Sequence, residues 1–151
     1  MRIIFLDFDG VLVPFAKKYQ KTRPARVSPE AVVCLNTVIQ MTGAKLVITS
    51  SWRLSSTIEK LDACVKKWGV VGDVVGKTIT KETRGEEVAD WLQCTPEFLR
   101  PLDPIESYVI LDDEGDGMAP VEDYLVRVPN PMHGLLMPEA LRAIKVLEGK
   151  S

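Results

Sequence analysis

The sequence predicts an α/β fold: a three-layer α/β/α, Rossmann-like core built on a mainly parallel sheet of about five strands. Short β-branched runs alternate with longer amphipathic segments, the pattern expected of strands joined by crossover helices. Helix-opening and helix-closing residues bracket those longer segments. Acidic or hydroxyl residues also follow several strands directly, where an open α/β sheet collects its ligand site.

Taken in order, the expected strands are Ile3 to Leu6, Ala44 to Thr49, Val70 to Val75, Tyr108 to Leu111 and Tyr124 to Val128. Ser28-Pro29-Glu30 reads as an N-cap followed by proline at the first helical position, opening a helix that runs to about Met41 and stops at Gly43. A second helix is expected from Ser55 to Trp68, ending at Gly69. A third opens at Arg84-Gly85-Glu86 and carries Val88, Trp91 and Leu92 at helical spacing, and a fourth runs from Pro138 to Leu147. Two connections are long: Val13 to Val27, and Thr95 to Ser107 with its three prolines. The first holds Lys17, Lys18, Lys21, Arg23 and Arg26. It reads either as a solvated lid or as a basic flap over an anionic substrate.

The 151 residues are expected to form a single domain, residues 1–151, with the 13–27 loop as a minimal lid. Hydrophobic residues make up 46% and charged residues 26%, which is globular composition and argues against disorder. A formal charge of -2 provides no global basic field for nucleic acid, though a local basic patch remains open. Cys34, Cys64 and Cys94 lie singly, an odd count without a Cys-x-x-Cys pair, and read as small hydrophobes in a reducing compartment. The apolar start Ile3-Ile4-Phe5-Leu6 is cut off by Asp7 too soon for a signal-peptide core, and no run is long enough for a bilayer span. A cytoplasmic protein without a membrane partner is the expectation.

The chemistry concentrates at three strand ends. Asp7-Phe8-Asp9-Gly10 places two carboxylates beyond the first strand, then a glycine that lets the chain turn. Capping of the next turn would explain an isolated pair of this kind equally well. However, the second strand delivers Thr49-Ser50-Ser51, hydroxyls and amides suited to phosphate oxygens, and the fourth delivers Asp112-Asp113. Carboxylates gathered from separate strands repel, and a hard cation such as Mg²⁺ is the simplest way to neutralise them. His133, the only histidine, lies in a turn-rich loop, and no Ser-His-Asp or Cys-His system can be assembled. Trp52, Trp68 and Trp91 read most simply as packing residues, with base stacking an alternative for Trp52.

These residues resemble the haloacid dehalogenase (HAD) superfamily of aspartate-nucleophile phosphatases: Asp7-Phe8-Asp9-Gly10-Val11-Leu12 matches its first motif, Thr49 its second and Asp112-Asp113 its fourth. Within it, Thr49-Ser50-Ser51-Trp52-Arg53, the stretch from Arg84 to Leu92 and Gly134-Leu135 look like the small capless branch of Swiss Army Knife RNA-repair proteins. The resemblance implies a Mg²⁺-dependent phosphatase in which Asp7 attacks phosphorus and forms an aspartyl-phosphate, while Asp9 serves as general acid and base. It implies metal ligation by Asp7, by the backbone carbonyl of Asp9 and by Asp112 or Asp113, with Asp113 favoured. Thr49 and the amides around Phe8, Asp9, Gly10, Ser50 and Ser51 would receive phosphate oxygens. Arg84 is the first choice for the family's cationic third motif, with Lys81 and Lys77 as alternatives and surface charge as the plain explanation of each. Arg53 either faces the same crevice or pairs with an acid on a helix surface. No insertion is long enough for a large cap, so the site should be open to a bulky substrate, such as a nucleotide or nucleic-acid terminal phosphate or a phosphoprotein. A non-catalytic module for binding phosphorylated partners or nucleic-acid ends, and phosphotransfer to an acceptor, are the rival readings.

Overall fold

The computed structural model describes residues 1–94 and 104–150 of the chain. Five strands, all parallel, form one sheet: β1 (Arg2–Leu6), β2 (Lys45–Ile48), β3 (Val74–Lys77), β4 (Ser107–Asp112) and β5 (Leu125–Arg127). The helices are α1 (Lys17–Gln20), α2 (Pro29–Thr42), α3 (Ile58–Lys67), α4 (Arg84–Cys94) and α5 (Met137–Leu147). Strand order is β3-β2-β1-β4-β5, so the chain starts in the middle, winds outward twice, and then returns to the other side of β1. That reversal puts the topological switch point between β1 and β4, where a doubly wound sheet opens its crevice.

The core follows from the two-residue period of the strands. Ile4, Leu6, Leu46, Ile48, Val109 and Leu111 face one way, onto Leu35 and Val38 of α2, Leu61 and Val65 of α3 and Ala140 and Ile144 of α5. Ile3, Phe5, Val47 and Ile110 face the other way, onto Val88 and Trp91 of α4 and onto Met118 and Val121. A sheet covered on both faces needs continuous apolar runs rather than alternation, and Ile3-Ile4-Phe5-Leu6 is such a run.

The expected helix boundaries hold for α2. The Ser28 hydroxyl accepts from the Ala31 amide at 3.2 Å, and Gly43 closes the helix at φ 71°, donating to the Ile39 carbonyl. The second helix is shorter than expected, because Ser51–Ser55 forms a separate 3₁₀ turn and Thr57 caps α3 instead. The third strand is also displaced, from Val70 to Val75 onto Val74–Lys77. Val70 is spent in closing α3, where its amide donates to the Val65 carbonyl and its side chain is buried, while Asn36 takes the Val71 amide. Gly76, an unpromising strand residue, is accommodated because the Trp91 indole lies 3.0 Å from where a Cβ would stand. The last strand is three residues long, since Glu122–Tyr124 turns as a 3₁₀ segment. Most of the proline-rich 95–107 connection lies outside the described residues. Cys34 is buried and Cys64 half-buried, both as free thiols. Among the described residues no insertion is large enough to form a cap, and no helix is long and apolar enough to cross a membrane.

Candidate active site

Hydrogen bonds that continue the ladder past the strand ends set the site. The Asp7 amide donates to the Leu111 carbonyl at 3.1 Å, Thr49 to Leu6 at 3.0 Å and Val128 to Asp112 at 2.8 Å. Asp7, Thr49 and Asp112 therefore occupy equivalent positions at the carboxyl ends of three adjacent strands, held by sheet pairing rather than by loop contacts.

After Asp7 the chain turns at once. The Phe8 carbonyl accepts from Val11, Leu12 and Val13, and the Gly10 amide donates to Val13 at 2.8 Å. Gly10 has φ 83°, and a Cβ there would stand 2.7 Å from the Asp113 carboxylate. The glycine is thus required twice, for the turn and for the approach of Asp113. Its amide, expected to reach substrate, is committed to the turn. The Phe8 amide likewise donates to Asp7 Oδ1 at 2.9 Å, and its ring is wholly buried.

Asp7, Asp112 and Asp113 each present a carboxylate oxygen, and these atoms lie within 4.8 Å of one another. Burial, then the negative charge of Asp112, push the Asp7 carboxyl up to about 8, against the opposing pull of Arg84. Burial likewise lifts Asp112 to about 6, although the Glu114 amide bonds its Oδ1 at 2.9 Å. Among the described residues, Asp112 Oδ2 is buried without a hydrogen-bond partner. An all-carboxylate donor set, with protonation favoured by burial and then by mutual repulsion and one buried oxygen left over, fits a hard divalent cation, and the triad could hold one. The Asp9 side chain stands outside this cluster, so any contribution of Asp9 to a metal falls to its backbone carbonyl.

Of the basic candidates, the structure brings Arg84 to the site. Its Nε lies 3.6 Å from Asp112 Oδ2, and Nη1 donates to the Thr49 carbonyl. Lys81 is exposed and lies 3.5 Å from Asp90 on α4, while Lys77 donates to the carbonyls of Arg53 and Ser56. Neither lysine is among the groups gathered around Asp7. Arg53 requires a correction: it is almost fully buried, paired with Glu87 of α4, and donates to the carbonyls of Thr49, Ser50 and Thr78. All three guanidinium nitrogens are engaged inside the protein, so of the two roles open to Arg53, facing the crevice or pairing with an acid on a helix, the pairing is the one found, and it braces the second strand end. The Thr49 hydroxyl is wholly buried and has no hydrogen-bond partner among the described residues. Ser50 caps the 3₁₀ turn, its hydroxyl accepting from Trp52 at 3.3 Å, and Ser51 is exposed at the start of that turn.

Two participants escaped the sequence reading. Glu87 stands at i+3 from Arg84 on the same face as Val88 and Trp91, and an acid on a buried helical face is a legible sign of an ion-pair partner. Trp52 donates its indole N–H to Asp9 Oδ2 at 3.1 Å. Nothing in its spacing announces that bond.

A family model described as the HAD domain in Swiss Army Knife RNA repair proteins matches residues 3–140. The chain belongs to that family. Membership points to a phosphatase-type hydrolase. No curated protein and no solved structure matches the chain.

Proposed function

We propose that this HAD domain is a Mg²⁺-dependent phosphatase that acts through an aspartyl-phosphate on Asp7, with nucleotide or nucleic-acid terminal phosphates as its substrates. The observation that carries this reading is the convergence of Asp7, Thr49, Arg84 and the Asp112–Asp113 pair at three adjacent strand ends.

Asp7, Asp112 and Asp113, with the Asp9 carbonyl, would hold Mg²⁺, which when bound offsets the repulsion between carboxylate and phosphate and orients the transferred group. The Asp7 carboxylate attacks phosphorus in line as the bond to the leaving oxygen breaks. Asp9 gives that oxygen a proton, then accepts one from the water that hydrolyses the aspartyl-phosphate. The Thr49 hydroxyl donates to an equatorial oxygen, and Arg84 supplies positive charge beside it.

Two features support the substrate class. Lys17, Lys18, Lys21, Arg23 and Arg26 are exposed and, among the described residues, engage no acid in an ion pair, on a segment that leaves the catalytic turn directly and contains no acid. The family description names RNA repair proteins. A basic segment next to an open site suits a polyanion that extends beyond its terminal phosphate.

The test is phosphate release, with and without Mg²⁺, from an aryl phosphate, nucleoside monophosphates and oligonucleotides phosphorylated at either end. Asp7→Asn should abolish turnover, and Asp9→Asn should lower it by about 10²- to 10⁴-fold. Oligonucleotide turnover should weaken with added salt much more than mononucleotide turnover. Wild-type protein that released no phosphate, or an active Asp7→Asn, would sink the reading.

A further inference from the structure

Asp9 and Trp52 are 43 residues apart in sequence, yet the indole N–H of Trp52 donates to Asp9 Oδ2 at 3.1 Å. Trp52 is locked in place by rings from two other elements. Its centroid lies 5.5 Å from Phe8 at an interplanar angle of 89°, and 5.7 Å from Trp68 at 72°; Phe8 and Trp68 meet at 5.0 Å. Phe8 follows β1, Trp52 belongs to the 3₁₀ turn after β2, and Trp68 ends α3. The Trp52 amide is fixed as well, donating to Ser50 Oγ. A three-ring cluster of this kind has few alternative packings, so the direction of the N–H is set by the core.

We propose that Trp52 is the positioning residue for Asp9, fixing which carboxyl oxygen faces the leaving group. An indole N–H can only donate, so the oxygen it meets must accept and cannot bear a proton towards it. With Oδ2 committed in this way, the bond holds the carboxyl group in one orientation and leaves Oδ1 as the oxygen presented for proton exchange with the leaving group. Oδ1–H then delivers its proton to the leaving oxygen as the phosphorus–oxygen bond breaks, leaving Asp9 as carboxylate. In the second half-reaction, Oδ1 takes a proton from the attacking water while the bond from phosphorus to Asp7 breaks and inorganic phosphate departs. Charge and protons balance over the cycle, and Trp52 itself neither gains nor loses a proton.

The inference rests on the phosphatase reading and deepens it by assigning the geometry of the acid. The experiment uses the response of kcat/KM to the leaving group. That quantity reports the phosphoryl-transfer step, and only a poorly stabilised leaving oxygen depends strongly on receiving a proton. Trp52→Phe keeps a ring against Phe8 and Trp68 but removes the N–H. On a series running from nitrophenyl to alkyl phosphates, its kcat/KM should fall about 3-fold at the activated end and about 30-fold or more at the alkyl end, a fraction of what a whole general acid contributes. Asp9→Asn should show the same trend more steeply. Replacing Trp52 site-specifically by its benzothienyl isostere, which has the bicyclic shape and no N–H, should reproduce the slope if the phenylalanine variant folds poorly. A uniform loss across the series in both variants, or no loss, would overturn the proposal and reduce Trp52 to a packing residue. Wild-type protein inactive on every ester would instead sink the phosphatase reading itself, so the two failures are distinguishable.

Discussion

Gly10 links backbone conformation to site electrostatics in a single residue. Its φ of 83° is open to glycine at little cost, and the missing Cβ is the space that the Asp113 carboxylate occupies, 2.7 Å from where the carbon would stand. Gly10→Ala would strain the turn by about 1–2 kcal/mol and push Asp113 away from Asp7 and Asp112. The variant should therefore stay folded, need at least about tenfold more Mg²⁺ for half-maximal activity, and recover part of its rate at high Mg²⁺. An unchanged Mg²⁺ dependence would show that Asp113 takes no part in holding the ion. At this scale the sequence was informative where chemistry dictates residue type. Asp7, Thr49 and Asp112-Asp113 stand out because packing does not ask for acids or a lone hydroxyl at the end of a buried run. It was silent where one residue serves another without a local pattern, as in the Trp52 bond to Asp9 and the three carbonyls that Arg53 meets.

Among the elements, α4 is joined to the site by more than apolar contact. Arg53 and Glu87 form an ion pair between the turn after β2 and α4, both side chains nearly buried, with burial lowering the tendency of each to carry its charge. Gly85 lets the start of α4 close on the backbone of Met118 and Ala119, and its amide donates to Gly117 at 2.8 Å, which anchors Arg84 next door. Removing one partner of a buried pair leaves an uncompensated charge, so Glu87→Ala should cost about 3 kcal/mol in denaturant unfolding. A double replacement, Arg53→Met with Glu87→Met, should regain most of that stability while kcat stays low, because the Thr49 carbonyl and Arg84 would no longer be held in register. Recovery of activity along with stability would mean that the pair is structural only. Ser28→Ala is the contrasting case. Loss of the side-chain cap of α2 leaves the Ser28 amide bonded to the Leu12 carbonyl, and should cost about 1 kcal/mol while kcat/KM stays as it is. Helix ends of this kind were legible from Ser28-Pro29 and Gly43, since capping is a local rule. The position of β3 was not: Val70 is claimed by the end of α3 just before it, and the distant contacts of Val71 with Asn36 and of Gly76 with the ring of Trp91 set where the strand begins and what it can hold.

For the molecule as a whole, the site sets stability and the cation against each other. The strand order that makes it, with β1 between β2 and β4, was implicit in the sequence only through three strand ends bearing complementary chemistry; hydrophobic pattern alone does not order a sheet. Gathering those ends buries Asp7 and Asp112, and their carboxyl groups rise to about 8 and about 6 in the folded chain, against an ordinary value of 3.8. A carboxyl whose folded pKa is raised binds more protons in the native than in the unfolded state over the interval between the two values, so stability falls as pH rises through it. In the absence of a divalent ion, these two groups should contribute most to stability below about pH 4, and that contribution should fall steadily as pH rises, through about 6 for Asp112 and about 8 for Asp7. A cation held by the ionised triad reverses the sign, because binding to the native state requires the protons to leave and becomes tighter as pH rises. Thermal unfolding with EDTA or with Mg²⁺ at pH 5 and pH 8 measures both effects at once. The expected result is a small Mg²⁺ effect on Tm at pH 5 and a shift several degrees larger at pH 8, with Asp112→Asn showing a weaker dependence on pH and on Mg²⁺ alike. If Mg²⁺ raised Tm equally at both pH values, ion binding would be independent of the carboxylates' protons, and the triad would not be where the ion sits.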